Sequence, residues 1–104
     1  MVLQRIRDYE MVLVLSPEVT DEEATAIVER SHKFITDNGG EITELDNWGV
    51  RRLAYAINHF QEGNYVLTRF TFDPAHVLGL ERILNASTEI LRHLVTKVHK
   101  LAKT

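Results

Sequence analysis

Two arginines stand side by side at Arg51 and Arg52, inside the stretch Trp48–Asn58, WGVRRLAYAIN. A guanidinium can fork two oxygens of a phosphate or carboxylate at once, and an aromatic ring such as Tyr55 can stack on an unpaired base. No acid, thiol or hydroxyl nucleophile lies in the stretch. It offers a paired cation, an aromatic and an apolar wall, which is binding chemistry. Taken without context, two arginines on a strand more often form surface ion pairs than bind RNA. As strand neighbours they point to opposite faces. One of them therefore faces any given partner, and the other can pair with a carboxylate such as Glu44 or Asp46.

Other chemistries find less support. The five histidines, His32, His59, His76, His93 and His99, include no i, i+4 helical pair with the glutamate that a zinc protease uses. On a regular strand His93 and His99 would lie about 20 Å apart. They read as scattered surface residues. No Gly-x-Ser-x-Gly elbow occurs, and Ser16, Ser31 and Ser87 fall at turn or helix positions. Gly39-Gly40 lacks the Gly-Lys-Ser/Thr ending of a phosphate loop. There is no cysteine, which removes disulfides and thiolate metal sites. No catalytic residue, metal or cofactor is expected.

The 104 residues suffice for a single domain over 1–104, with one two-layer core. A hydrophobic content of 44% and a charged content of 26% are ordinary for a soluble globular chain. The first residues, MVLQRIRDYE, carry neither the apolar run nor the small-residue cleavage site of a signal peptide. No run approaches the ~18 apolar residues of a membrane span. A cytoplasmic protein is expected. The net charge of −3 opposes nucleic-acid binding through the overall field, so positive charge has to be local. It is: Thr20–Glu29 holds four acids and no base, whereas Arg92–Lys103 holds four bases and no acid.

The elements that must position these groups follow from periodicity. Arg5–Leu15 alternates as a strand, with Tyr9, Met11, Leu13 and Leu15 on one face. Apolar residues on both faces from Met11 onward mark it as central. Thr20 and Glu23 form a capping box ahead of a helix whose stripe is Ala24, Ile27, Val28, Ser31, Phe34 and Ile35. Asn38-Gly39-Gly40 ends it. Glu41–Asp46, with Ile42 and Leu45 as its apolar contacts, joins Trp48–Ile57 in one long bent strand region; the odd spacing of Ile42 and Leu45, and Gly49, are signs of bulges. His59–Asn64 reads as a turn and Tyr65–Phe72 as the third strand, with Phe70 and Phe72 toward the helices and Tyr65, Leu67 and Arg69 on the other face. Asp73-Pro74 opens a second helix bearing Val77, Leu80, Ile83 and Leu84, with Gly79 allowing close approach to the sheet. Ile90–Val98 is the fourth strand, its faces ambiguous, and the basic tail from Lys97 to Thr104 is expected to fray.

The order β-α-β-β-α-β implies a ferredoxin-like α+β fold: a four-stranded antiparallel sheet with both helices on one face. The apolar residues of the second face then need a cover. Acylphosphatase has this fold and places a glycine-rich, arginine-bearing loop after its first strand; the loop here is SPEVTD, acidic and without arginine.

Gly49-Val-Arg-Arg-Leu-Ala-Tyr-Ala-Ile-Asn58 resembles the signature of ribosomal protein six of the bacterial small subunit: glycine, any residue, basic, polar, Leu, Ala or Ser, Tyr, any, Ile, polar. The likeness extends to Tyr9-Glu10, Pro17 and Gly39, and runs from about Arg7 to Lys97. It implies the ferredoxin-like fold and a non-catalytic role in the small ribosomal subunit. It also implies binding to the central domain of small-subunit ribosomal RNA together with small-subunit ribosomal protein eighteen, a strongly basic partner. An acidic chain with a locally basic edge and an open apolar face fits half of such a heterodimer. Arg7, Arg51, Arg52, Tyr55, Arg92 and Lys97 are the expected RNA contacts, and Tyr65, Leu67 and Arg69 the expected partner-protein surface. Unlike some members, the chain ends in KVHKLAKT rather than a long acidic tail. A ligand-sensing or self-associating ferredoxin-like module is the alternative, and it would show as a homodimer in isolation.

Overall fold

The structure, a computed structural model, describes residues 6–98. Arg5, which opens the expected first strand, and the tail from His99 to Thr104 lie outside them. Strand β1 (Arg7–Leu15) leads to helix α1 (Asp21–Asp37), then to strands β2 (Glu41–Ile57) and β3 (Phe60–Phe72). A 3-10 turn at Pro74–His76 runs into helix α2 (Val77–Asn85), and strand β4 (Ile90–Lys97) closes the order. The sheet is antiparallel with spatial order β2-β3-β1-β4, so β1 is central and β2 and β4 are its edges.

Helix α1 forms where its sequence is most explicit. Glu23 N–H donates to Thr20 Oγ1 at 3.1 Å, and Thr20 N–H donates to Glu23 Oε1 at 2.9 Å, a reciprocal cap. At the other end Gly39 adopts φ +87°, which ends the helix without the strain a side chain would bring. The expected stripe faces the sheet, with Ile27, Val28, Ser31 and Ile35 buried. Its partners are Tyr9, Met11, Leu13 and Leu15 from β1, Val66, Phe70 and Phe72 from β3, and Leu80 and Leu84 from α2. Register settles the ambiguity of β4: His93 and Val95 sit opposite Leu13 and Met11 on the helix side, and Arg92, Leu94 and Thr96 take the other face.

Four details depart from expectation. The turn is not His59–Asn64 but the pair Asn58-His59, both left-handed at φ 51° and 72°, the geometry that matches the twist of a two-residue hairpin. Residues 60–64 therefore extend β3 rather than leave it. Gly79 meets α1, not the sheet: a Cβ there would stand 2.9 Å from Phe34 Cζ. Leu45 lies on the helix side of β2 but across an open groove from α1, and it is 55% exposed rather than a core contact. Lys97 is held in β4 opposite Tyr9.

His32 is no scattered surface group. It is half-buried on α1, and its Nε2 shares a 2.9 Å hydrogen bond with Oγ1 of Thr68, which is fully buried on β3. Burial holds its imidazole below the ordinary histidine range, with the carboxylate of Glu29 pulling the other way.

Truncating Phe70 or Ile27 to alanine is expected to cost about 2–5 kcal/mol in urea unfolding, and Arg51→Ala or Arg52→Ala only about 0.5 kcal/mol. An arginine variant that unfolds as readily as the Phe70 variant would mark that side chain as structural. Because the folded state binds the His32 proton less readily than the unfolded chain, its contribution to stability is complete above about pH 6.5 and is lost as pH falls below that value. The urea midpoint is expected to fall further between about pH 7.5 and about pH 5.5 in wild type than in His32→Asn. Equal losses would assign the acid sensitivity to other groups.

A candidate RNA and partner interface

The 17 residues of β2 and the 13 of β3 outrun the 9 of β1 and the 8 of β4, so the β2–β3 hairpin projects as an arm. Register slips shape that arm. Ile42 opposes Phe70 and Glu44 opposes Arg69, leaving Thr43 as an extra residue; Asn47 opposes Val66 and Gly49 opposes Tyr65, leaving Trp48 as another. Gly49 bends the strand at φ +81°. Near Gly63 the arm comes close to β1: a Cβ there would overlap Val14 and lie 3.5 Å from Leu53 Cδ2. The arm thus leans over the helix-free face, and Arg92 Nη1 on the far edge strand donates to Tyr55 Oη at 2.9 Å. One end of the face expected to be open is covered in this way.

The arginine pair divides as its spacing requires. Arg51 lies opposite Gly63, with its Cζ 5.4 Å from the centre of the Trp48 ring, a cation–π contact. Trp48 in turn stacks on Tyr65 at 6.3 Å and 21° between planes, and its Nε1 donates to Asp46 Oδ2 at 2.9 Å. Arg52 lies opposite Glu62 and lines a shallow depression with Pro17, His59 and Phe60. Among the described residues neither arginine forms an ion pair. The expected pairing with Glu44 or Asp46 does not occur, because Arg69 and Trp48 hold those carboxylates.

Arg69 takes that role instead. Its Nε donates to Glu10 Oε2 at 2.9 Å and its Nη1 to Glu44 Oε1 at 3.1 Å, tying three strands across the helix-free face. The hydrogen bond to Glu10 and then the charge of Glu44 raise its pKa above the usual arginine value. Leu67 shares the face, yet only 5% of it is exposed. Of the three residues expected to meet a protein partner, Leu67 is covered, Arg69 is engaged, and Tyr65 is partly exposed beneath Trp48.

The six expected RNA contacts form two groups. Tyr55, Arg92, Arg51 and Arg52 gather around the arm, with Tyr55 62% exposed. Arg7 and Lys97 lie at the other end of β1 and β4, and Lys97 is five residues beyond Arg92, about 17 Å along an extended strand. Among the described residues, no group of three or more His, Asp or Glu side chains is arranged to hold a metal ion. Sequence reasoning missed the Trp48 stack, although a lone tryptophan beside Gly49 and two arginines was a visible signal.

The family model described as ribosomal protein S6 matches residues 8–97. The chain belongs to the ribosomal protein S6 family. It is 41% identical to small ribosomal subunit protein bS6 of Moorella thermoacetica over 97 residues, covering 93% of this chain and 99% of that protein. It is 40% identical to bS6 of Desulforamulus reducens over 92 residues, covering 88% and 97%. The crystal structure of 30S ribosomal protein S6 from Thermotoga maritima is similar with a TM-score of 0.85 at 32% identity, covering 90% of this chain and 89% of that one. That likeness agrees with the ferredoxin-like fold expected from the sequence. The family is a structural one, and its members are not enzymes.

Trp48 is the only tryptophan, so its emission reports the stack directly. Arg51→Ala, which removes the cation from the ring, is expected to shift the emission maximum, and Arg52→Ala to leave it in place. Equal shifts would show that the two arginines do not project to opposite sides in solution.

Proposed function

We propose that this chain acts as a single domain in the cytoplasmic small ribosomal subunit, where it binds the central domain of the ribosomal RNA jointly with small-subunit ribosomal protein eighteen. The observation that carries this reading is the bond between Arg92 and Tyr55. It draws the hairpin arm and the β4 edge into one basic and aromatic rim, with Arg51 and Arg52 on either side of the arm. Guanidinium groups there can fork phosphates, and the exposed Tyr55 ring can stack on a splayed base. Arg7 and Lys97 supply a second phosphate contact farther along β1 and β4. The names of the relatives, small ribosomal subunit proteins, support the same reading.

The protein partner meets the helix-free face around Tyr65 and the Trp48 ring stacked on it. Leu67 and Arg69 shape that face from within, one by filling it and the other by bracing three strands. A basic partner also answers the net charge of −3, which by itself repels RNA at long range.

The isolated chain is therefore expected to bind a central-domain RNA fragment weakly, and the two-protein complex to bind it well. In salt titrations of that complex, Arg51→Ala or Arg52→Ala is expected to flatten the logarithmic salt dependence by about 0.7 to 0.9 for each phosphate that the variant no longer neutralises. Heterodimer formation should be retained. Unchanged affinity and slope in both variants would move the RNA contacts away from the arm, and tight RNA binding without any partner would defeat the heterodimer reading.

A further inference from the structure

A groove of about 420 Å³ runs between the first half of α1 and the edge strand β2, on the helix side of the sheet. Asp21 and Glu29 line its helical wall, Leu45 and Asn47 its strand wall, and Val28 and Val66 its floor. We infer that this groove takes an extended, basic polypeptide segment of the protein partner, laid alongside β2.

Three observations favour that occupant. Strand β2 is an edge, and among the described residues no strand pairs with its outer backbone groups, so it is a template for an added strand. Between the extra residues Thr43 and Trp48, the run Glu44–Asn47 pairs regularly with β3. That leaves room for a short segment and discourages long edge-to-edge assembly. Charge then selects the ligand: the stretch Thr20–Glu29 holds four acids and no base, so lysine or arginine on the incoming strand meets Asp21 and Glu29, whereas an acidic peptide or a nucleic acid is repelled. The exposed Leu45 side chain offers an apolar anchor beside those charges. Asn64 also lines the groove, and its buried Oδ1 has no hydrogen-bond partner among the described residues; a donor entering there would satisfy it.

The inference rests on the reading that this chain has a basic protein partner, and two titrations keep the two claims apart. In the first, a hexapeptide of alternating Arg and Val, and one of alternating Glu and Val, are titrated into the full chain and followed by amide chemical shifts. The Arg-Val peptide is expected to move amides of residues 21–32 and 44–47, and the Glu-Val peptide to move none of them. Asp21→Asn combined with Glu29→Gln, and separately Leu45→Lys, are expected to weaken the Arg-Val peptide by about fivefold or more, and Glu62→Gln on the arm by less than about twofold. Shifts centred on the helix-free face, equal losses in every variant, or dimerisation of the chain through β2 would overturn the groove. In the second titration, the basic ribosomal partner is added to wild type and to Leu45→Lys. Weaker binding to Leu45→Lys supports the groove, and equal binding to both overturns it while the heterodimer reading stands. If the partner does not bind wild type, the heterodimer reading fails, and with it the claim that the segment is the partner's; the peptide alone then decides what the groove accepts.

Discussion

The register of β3 is the constraint on which the rest of this structure depends. Two helices cover one face of the sheet only, so each β3 residue must lie on the correct side. A slip of one position would turn Phe70 and Phe72 to water and Arg69 into the core. Polar contacts pin the register from both sides. Thr68 meets His32 beneath α1, and Arg69, one residue on, bridges Glu10 and Glu44 on the opposite face. Neither contact acts alone, because the buried aromatic and aliphatic side chains of the helix-side face supply most of the driving force. The polar groups make the alternatives costly.

With β3 fixed, the overlong hairpin becomes useful rather than untidy. The same strand that is buried from Val66 to Phe72 continues back to Phe60 as one side of the arm, so the arm's position is inherited from the core. Extra residues at Thr43 and Trp48 and the bend at Gly49 re-aim β2, which brings Arg51 onto Trp48 and Tyr55 to Arg92. Acid and base are sorted at the same time. The carboxylates of Asp21, Glu22 and Glu29 stay on α1, and the arginines stand apart from them on the hairpin arm, Arg51 over Trp48 and Arg52 opposite Glu62. An acidic chain can in this way present a basic rim.

Much of the fold was legible in the sequence, because it rests on local rules. The capping box at Thr20 and Glu23, the α1 stripe, the alternation of β1 and the inward Phe70 and Phe72 are each written within one element. The decapeptide from Gly49 to Asn58 pointed to the family. What was not legible depends on contacts between distant residues. Asn58-His59 lacks the glycine that flags a two-residue turn, so the turn was placed too late. His32 and Thr68 are 36 positions apart, and Tyr55 and Arg92 are 37 apart. Leu67 belongs to the expected face, but its cover comes from neighbouring strands that periodicity does not describe.

The division of the surface into an RNA-facing arm and an acidic α1 side that RNA does not touch is the central claim. It is tested most directly by placing a photo-crosslinking amino acid at position 55 or at position 22 and irradiating assembled small subunits. Crosslinks from position 55 to ribosomal RNA, and from position 22 to protein or to nothing, are the result this account predicts. RNA crosslinks from position 22 together with none from position 55 would contradict it.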